Sequence, residues 1–324
     1  MRNSEVRLIK KTFWIVLFIL VLIFLSLIID QQLKYSQTKE DKVASASEAV
    51  TLADHFVPIL MPQKNSSFRE PFINTKSAYL IDIDSAYPMY AKNENQKMSV
   101  ASTTKMMTAI VVLENYSDRL NETVTITPKM INVIPSVIQL RAGEKITVES
   151  LLNGLLIMSG NDAAYSLADY FGGKDKFVQE MNQKVKDLGL INTQFKDPAG
   201  LDDEGYSTAK ELAIIASYAL RLPKFSEIVS TPQKTISSVD GRITHELTSS
   251  NRLIRPEEAY YMPEAIGIKT GFTYEAGHVL VSAAKKNNNR ILSIVLNTNE
   301  VTNSASAKES KKLLEWGFNN WSWK

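Results

Sequence analysis

Residues 13–29 read FWIVLFILVLIFLSLII, apolar throughout except for Ser26. No other stretch limits the chain's options as sharply. The run is at the short edge of what crosses the hydrocarbon layer of a bilayer, and it is long for the core of a removable signal. Arg2, Arg7, Lys10 and Lys11 precede it, against the single acid Glu5. Cationic flanks stay on the cytoplasmic side. The expectation is therefore a cytoplasmic basic flank over 1–12, an uncleaved transmembrane anchor over 13–29, and everything after it outside. The small residues Ala44, Ser45 and Ala46 lie too far downstream to mark a cleavage site.

The rest of the chain reads as an ordinary globular protein. Of 324 residues, 44% are hydrophobic and 22% charged, close to the usual balance. A net charge of +2 offers no basic surface for nucleic acid. The absence of cysteine excludes disulfides, thiolate metal sites and cysteine nucleophiles. Residues 30–70 are polar and mixed in charge, as in a tether that clears the membrane surface. A single domain is expected over 71–320. Two strand-like runs around a turn fall at 77–91, and helical patterns dominate from 102 to about 222. Strand patterns return at 262–271, 278–285 and 290–297, and a closing helix covers 304–318. Strands at both ends and helices between them predict an α+β fold, a mainly antiparallel sheet with a helical insertion.

Within the first helical run, Ser102 and Lys105 stand three residues apart, on one helix face. A serine hydroxyl needs a base to become a nucleophile. Lysine serves as that base only if its pKa is lowered, and burial and the positive end of a helix both lower it. The S-x-x-K spacing alone is weak. It recurs at Ser36–Lys39, at Ser207–Lys210, where Thr208 and Glu211 suggest a capping box, and at Ser282–Lys285, which reads as strand. A second signal is Ser159-Gly160-Asn161, a break between two helical runs, with a decoy at Ser249–Asn251. The third is Lys269-Thr270-Gly271, the chain's one K-T-G. There a glycine lets another backbone approach a strand, and plain alternation sends Thr270 to the face opposite Lys269. The three occur in an order, and on element types, that together point to acyl-transfer chemistry on Ser102. His55, His245 and His278 have neither a serine elbow nor a ligand cluster to serve, and HELTS at 245–249 lacks the second histidine of a zinc helix. No metal or cofactor is called for.

With these motifs, and with LLIMSGNDAAYSLA, FKDPAGLDDEGYSTAKELA and ESKKLLEWGF, residues 70–320 resemble the serine D-alanyl-D-alanine carboxypeptidases, the low-molecular-mass penicillin-binding proteins. The resemblance implies a β-lactamase/transpeptidase-like fold, with an antiparallel sheet flanked by helices and a helical subdomain. It implies that Ser102 attacks the D-Ala-D-Ala bond of a peptidoglycan pentapeptide, that Lys105 takes its proton, and that Ser159 relays a proton to the leaving amine. Asn161 would line the site. Lys269 and Thr270 would hold the terminal carboxylate beside Gly271, and the backbone N–H groups of Ser102 and Phe272 would hold the oxyanion. β-Lactams would acylate the same serine. A β-lactamase and a non-catalytic penicillin-binding sensor are the rival readings. The usual E-x-x-L-N of class A β-lactamases is missing between Asn161 and Lys269.

The chain departs from the family pattern in three places. Phe272 stands where many members have histidine. Asn297-Thr298-Asn299 occupies the place of a carboxylate-binding arginine. Lys324 follows the closing helix where many members continue into a β-rich domain and an amphipathic anchor. The span at 13–29 is expected to replace that anchor and place the catalytic domain on the outer face of the cell membrane.

Overall fold

The strands near the two chain ends are apolar on both sides, and the structure shows why. In the computed structural model, residues 60–324 are described apart from 67 and 301, together with residue 31. The expected anchor over 13–29, its basic flank and most of the 30–70 tether lie outside the described residues. Among the described residues no helix is long and apolar enough to cross a membrane.

The strands, in chain order, are β1 (Pro62–Lys64), β2 (Thr75–Asp82), β3 (Pro88–Lys92), β4 (Thr123–Thr125), β5 (Lys145–Thr147), β6 (Gln233–Ser237), β7 (Thr244–Thr248), β8 (Ala265–Thr273), β9 (Gly277–Lys286), β10 (Asn289–Thr298) and β11 (Trp321–Trp323). The helices are α1 (Lys105–Asn115), α2 (Pro128–Ile131), α3 (Val148–Ile157), α4 (Asn161–Tyr170), α5 (Lys174–Asp187), α6 (Ala209–Ala219), α7 (Pro223–Val229) and α8 (Ala305–Asn320).

Five strands form one antiparallel sheet in the order β3-β2-β10-β9-β8. The α+β reading, with a sheet built from both chain ends, therefore holds. Alternate residues of its inner strands enter different cores. Leu80, Leu280, Ile291 and Val295 pack with Leu313, Leu314 and Trp316 of α8. Tyr79, Val281, Leu292 and Ile294 pack with the helical lobe around Met106, Ile110 and Leu155. A sheet covered on both faces selects near-continuous apolar strands. Within the lobe, α1 is buried at every residue from Lys105 to Leu113, as expected of a helix that is apolar all round.

Two boundaries differ from the sequence reading. The tether was expected to reach residue 70, yet β1 pairs with β11 in the register Pro62↔Trp323. Phe68 also meets the edges of Trp316 and Trp321 at 5.4 and 5.7 Å. Among the described residues the domain thus takes in residues 62–70 and runs past 320, because the tryptophans after α8 need apolar cover. The short strand pairs β4–β5 and β6–β7 also went unforeseen. Strands of three to five residues leave too little alternation to read.

Trp321 is 4% exposed and joins this terminal cluster to the sheet. Trp321→Ala is expected to destabilise the protein by about 3 kcal/mol, seen as a lower urea midpoint with an unchanged slope. An unchanged midpoint would show that the β1–β11 pair contributes nothing to the fold.

Candidate active site

Ser102 sits in a 3-10 turn, Ala101–Thr104, that runs directly into α1. One turn on, Lys105 is fully buried. Its Nζ lies 2.8 Å from Ser102 Oγ, 2.7 Å from Asn161 Oδ1 and 2.8 Å from the Ala199 carbonyl. Burial lowers the lysine's pKa to about 7, against the opposing pull of the Asp197 and Asp162 carboxylates. A neutral amine has two N–H donors and one lone pair. With Asn161 and Ala199 able only to accept at these atoms, the lone pair is left for the Ser102 hydroxyl. This is the arrangement of a nucleophile beside its base.

The two acceptors are themselves held in place. Asp197, 1% exposed, accepts hydrogen bonds from the backbone N–H groups of Ala199, Gly200, Leu201 and Asp202. That cradle aims the Ala199 carbonyl at Lys105. Gly200 has φ +76°, and a Cβ there would fall 1.9 Å from the Ala101 carbonyl oxygen. Only glycine lets this loop lie against the Ser102 turn. Asn161 opens α4 and donates through Nδ2 to the Ile134 carbonyl at 2.8 Å. Its neighbour Asp162 accepts from the N–H groups of Ile138 and Leu140. Asp197 was not singled out from the sequence; the D-P-A-G turn was the available signal for it.

The K-T-G segment lies on β8, the outer strand of the sheet. Lys269 is fully buried, with Nζ donating to the Thr270 carbonyl at 2.9 Å. Desolvation, and then the nearby Lys105, hold its pKa well below the usual range. Thr270 Oγ1 is 2.6 Å from Ser250 Oγ. A cleft of about 450 Å³ is lined by Ser102, Ser159, Asn161, Thr270, Gly271 and Phe272. The structure thus brings all three motifs together, with Lys269 beneath the surface rather than on it. A Cβ on Gly271 would fall 2.8 Å from Ser102 N, so the glycine keeps the space beside that N–H open.

Arg252 and Arg255 also line the cleft, and sequence reasoning missed them. Both pair with Glu258. They follow Asn251, the S-x-N decoy, whose side chain accepts from Leu253 N and caps a short turn. The arginine sought after β10 is thus absent there, and guanidinium groups reach the cleft from another segment. His278 lines it as well, its ring 4.5 Å from that of Phe272. His245 is instead buried against Glu144 at 2.7 Å.

The other decoys are structural. Ser282 Oγ donates to the Gly267 carbonyl, Ser207 Oγ meets Thr193, and Ser36 lies outside the described residues. Thr208 caps α6 by accepting from Glu211 N. The expected capping box is only half present, because the Glu211 carboxylate is taken by Ile191 N, Asn192 N and the Thr193 hydroxyl.

Residues 64–300 match the protein family described as D-alanyl-D-alanine carboxypeptidase. The chain is 34% identical over 252 residues to D-alanyl-D-alanine carboxypeptidase DacF of Bacillus subtilis, covering 76% of this chain and 62% of that protein. It is 32% identical to the D-alanyl-D-alanine carboxypeptidase of Streptomyces sp. strain K15, covering 77% and 89%. The crystal structure of the Streptomyces K15 DD-transpeptidase superposes with a TM-score of 0.73 at 32% identity, covering 78% of this chain and all of that one. The match thus spans less than two thirds of the Bacillus relative's length.

Two measurements test this geometry. If Lys105 is the base, acylation of Ser102 by a thioester, followed by mass spectrometry, should rise about tenfold per pH unit below about 7 and level off above it. A flat profile from pH 5 to 9 would remove Lys105 from that role. Gly271→Ala should slow the same acylation by about a hundredfold while leaving the far-UV circular dichroism unchanged. An unimpaired rate would mean that the space beside Ser102 N is not used.

Proposed function

The chain belongs to the D-alanyl-D-alanine carboxypeptidase family, and from that premise we propose that it is a serine hydrolase that removes the terminal D-alanine of peptidoglycan pentapeptides. One observation carries the reading: the Ser102 hydroxyl lies 2.8 Å from a buried lysine amine whose pKa is near 7. Ser102 Oγ attacks the carbonyl between the two D-alanines as its proton passes to Lys105. The backbone N–H groups of Ser102 and Phe272 stabilise the oxyanion. The C–N bond then breaks, and the leaving amine takes a proton through Ser159. Water attacks the acyl-enzyme and releases the shortened peptide with Ser102 restored. Arg252 supports the substrate carboxylate together with Thr270 and Ser250. This shares out the role that the resemblance gives to Lys269 and Thr270.

β-Lactams, as mimics of the dipeptide, acylate Ser102 in this reading. No aspartate or glutamate is among the described residues lining the cleft. That gives a class A type of β-lactam turnover no carboxylate to activate its water. The run at 13–29 anchors the enzyme in the cell membrane with the catalytic domain outside.

The direct test supplies a peptide ending in D-Ala-D-Ala and measures free D-alanine. Release is expected from the full-length chain, and Lys105→Ala should abolish it. Stable penicillin labelling of Ser102 without any release would favour the sensor reading, and rapid penicillin hydrolysis would favour a β-lactamase.

A further inference from the structure

A second cavity, of about 470 Å³, shares Leu201 with the catalytic cleft. One short run of chain divides the two: Val133 and Ile134 line the second cavity, and Pro135 and Ser136 line the cleft. The reaction at Ser102 does not use this space, although its size is that of a ligand pocket. Its lining is partly apolar, from Ile134, which is 62% exposed, and from Val133 and Tyr165. It is also cationic. Lys129 of α2 and Lys174, the first residue of α5, contribute two positive charges against the one carboxylate of Asp169. Lys129 pairs with Asp169 at 2.6 Å and also feels the Asp175 carboxylate, whereas Lys174 lines the cavity at an exposed position without an ion pair to Asp169. An apolar wall beside an exposed lysine suits a peptide that carries an acidic group.

The dividing wall is bonded to the reactive groups. Asn161 donates to the Ile134 carbonyl through its side chain and to the Ser136 carbonyl through its backbone, each at 2.8 Å, and the same side chain accepts from Lys105. Leu201, common to the lining of both, marks where the cleft meets the second cavity. We infer that the second cavity is a subsite for the segment upstream of the scissile bond, where Lys174, with Lys129, pairs with a carboxylate on that segment. The inference rests on the reading of Ser102 as a peptide-cleaving nucleophile.

The test separates the two claims. Full-length chain carrying Ser102→Ala is titrated calorimetrically with two peptides, Ala-Glu-Lys-D-Ala-D-Ala and Ala-Gln-Lys-D-Ala-D-Ala. The glutamate peptide is expected to bind about fivefold more tightly, with the advantage shrinking in high salt. Adding Lys174→Ala and Lys129→Ala, both at exposed positions, should bring the ratio to about one. Equal binding of the two peptides, or a preference that survives loss of both lysines, overturns the subsite. Free D-alanine from the wild-type chain is measured in parallel. No release alongside an intact, lysine-dependent preference would overturn the proposed reaction and leave the subsite standing.

Discussion

Two lysines share a dry interior beside one serine, and the rest of the site answers to that fact. A buried ammonium is unfavourable unless it is paired, and two close together lower each other's pKa further. The fold treats them differently. Lys105 has three hydrogen-bond partners and two carboxylates that partly offset its desolvation, so its pKa stops near 7. Lys269 has the Thr270 carbonyl, and Lys105 itself works against its charge. The protein bears a stability cost for this. Lys105 has a folded pKa of about 7 against about 10.4 in an unfolded chain. Its unfolded form therefore holds more protons between those values, and its contribution to stability rises with pH across that window. Below about pH 7 the deficit is at its full extent. Moderate destabilisation at a reactive centre is a common trade.

What the sequence disclosed, it disclosed through spacing. Ser102 and Lys105 share a helix face because three residues make nearly one turn, and they meet as that rule requires. Lys269 and Thr270 part company by strand alternation, and in the structure one is buried and the other faces the cleft. Groups that act through the backbone left no such trace. Asp197 contributes by gathering four amide N–H groups, and Ile134 by its carbonyl; neither function needs a residue pattern at a fixed distance from Ser102. Arg252 was invisible for another reason. Its place in the cleft depends on how the chain returns from β7 to β8, a path that no local period encodes.

The sheet explains why the K-T-G segment can serve at all. Its inner strands are covered on both faces, by α8 and by the helical lobe, so no ligand reaches them. β8 is the outer strand, with one edge free of the ladder. The Ser102 turn packs beside that edge, close enough that Gly271 can carry no side chain. Nucleophile and K-T-G segment are thus brought together by one antiparallel ladder and one buried helix, elements that resist small displacements.

Two of the seven non-glycine residues with positive φ among the described residues fall at the site. Ala101, just before the nucleophile, has φ +46°, and Ser159 has φ +66°. Non-glycine residues in this region cost about 1–3 kcal/mol each and persist only where their surroundings hold them. At Ala101 the hold is visible: the Asp197–Asp202 loop presses against its carbonyl through Gly200. At Ser159 it comes from the hydrogen bonds of Gly160 N to Gly154 O and Asn161 N to Ser136 O. The loop that restrains Ala101 is the one that supplies the Ala199 acceptor to Lys105, and the segment that restrains Ser159 receives the Asn161 side chain. Each restraint that aims a serine therefore also tethers the amine of Lys105. The same segments hold both the nucleophile and the amine of its base in place.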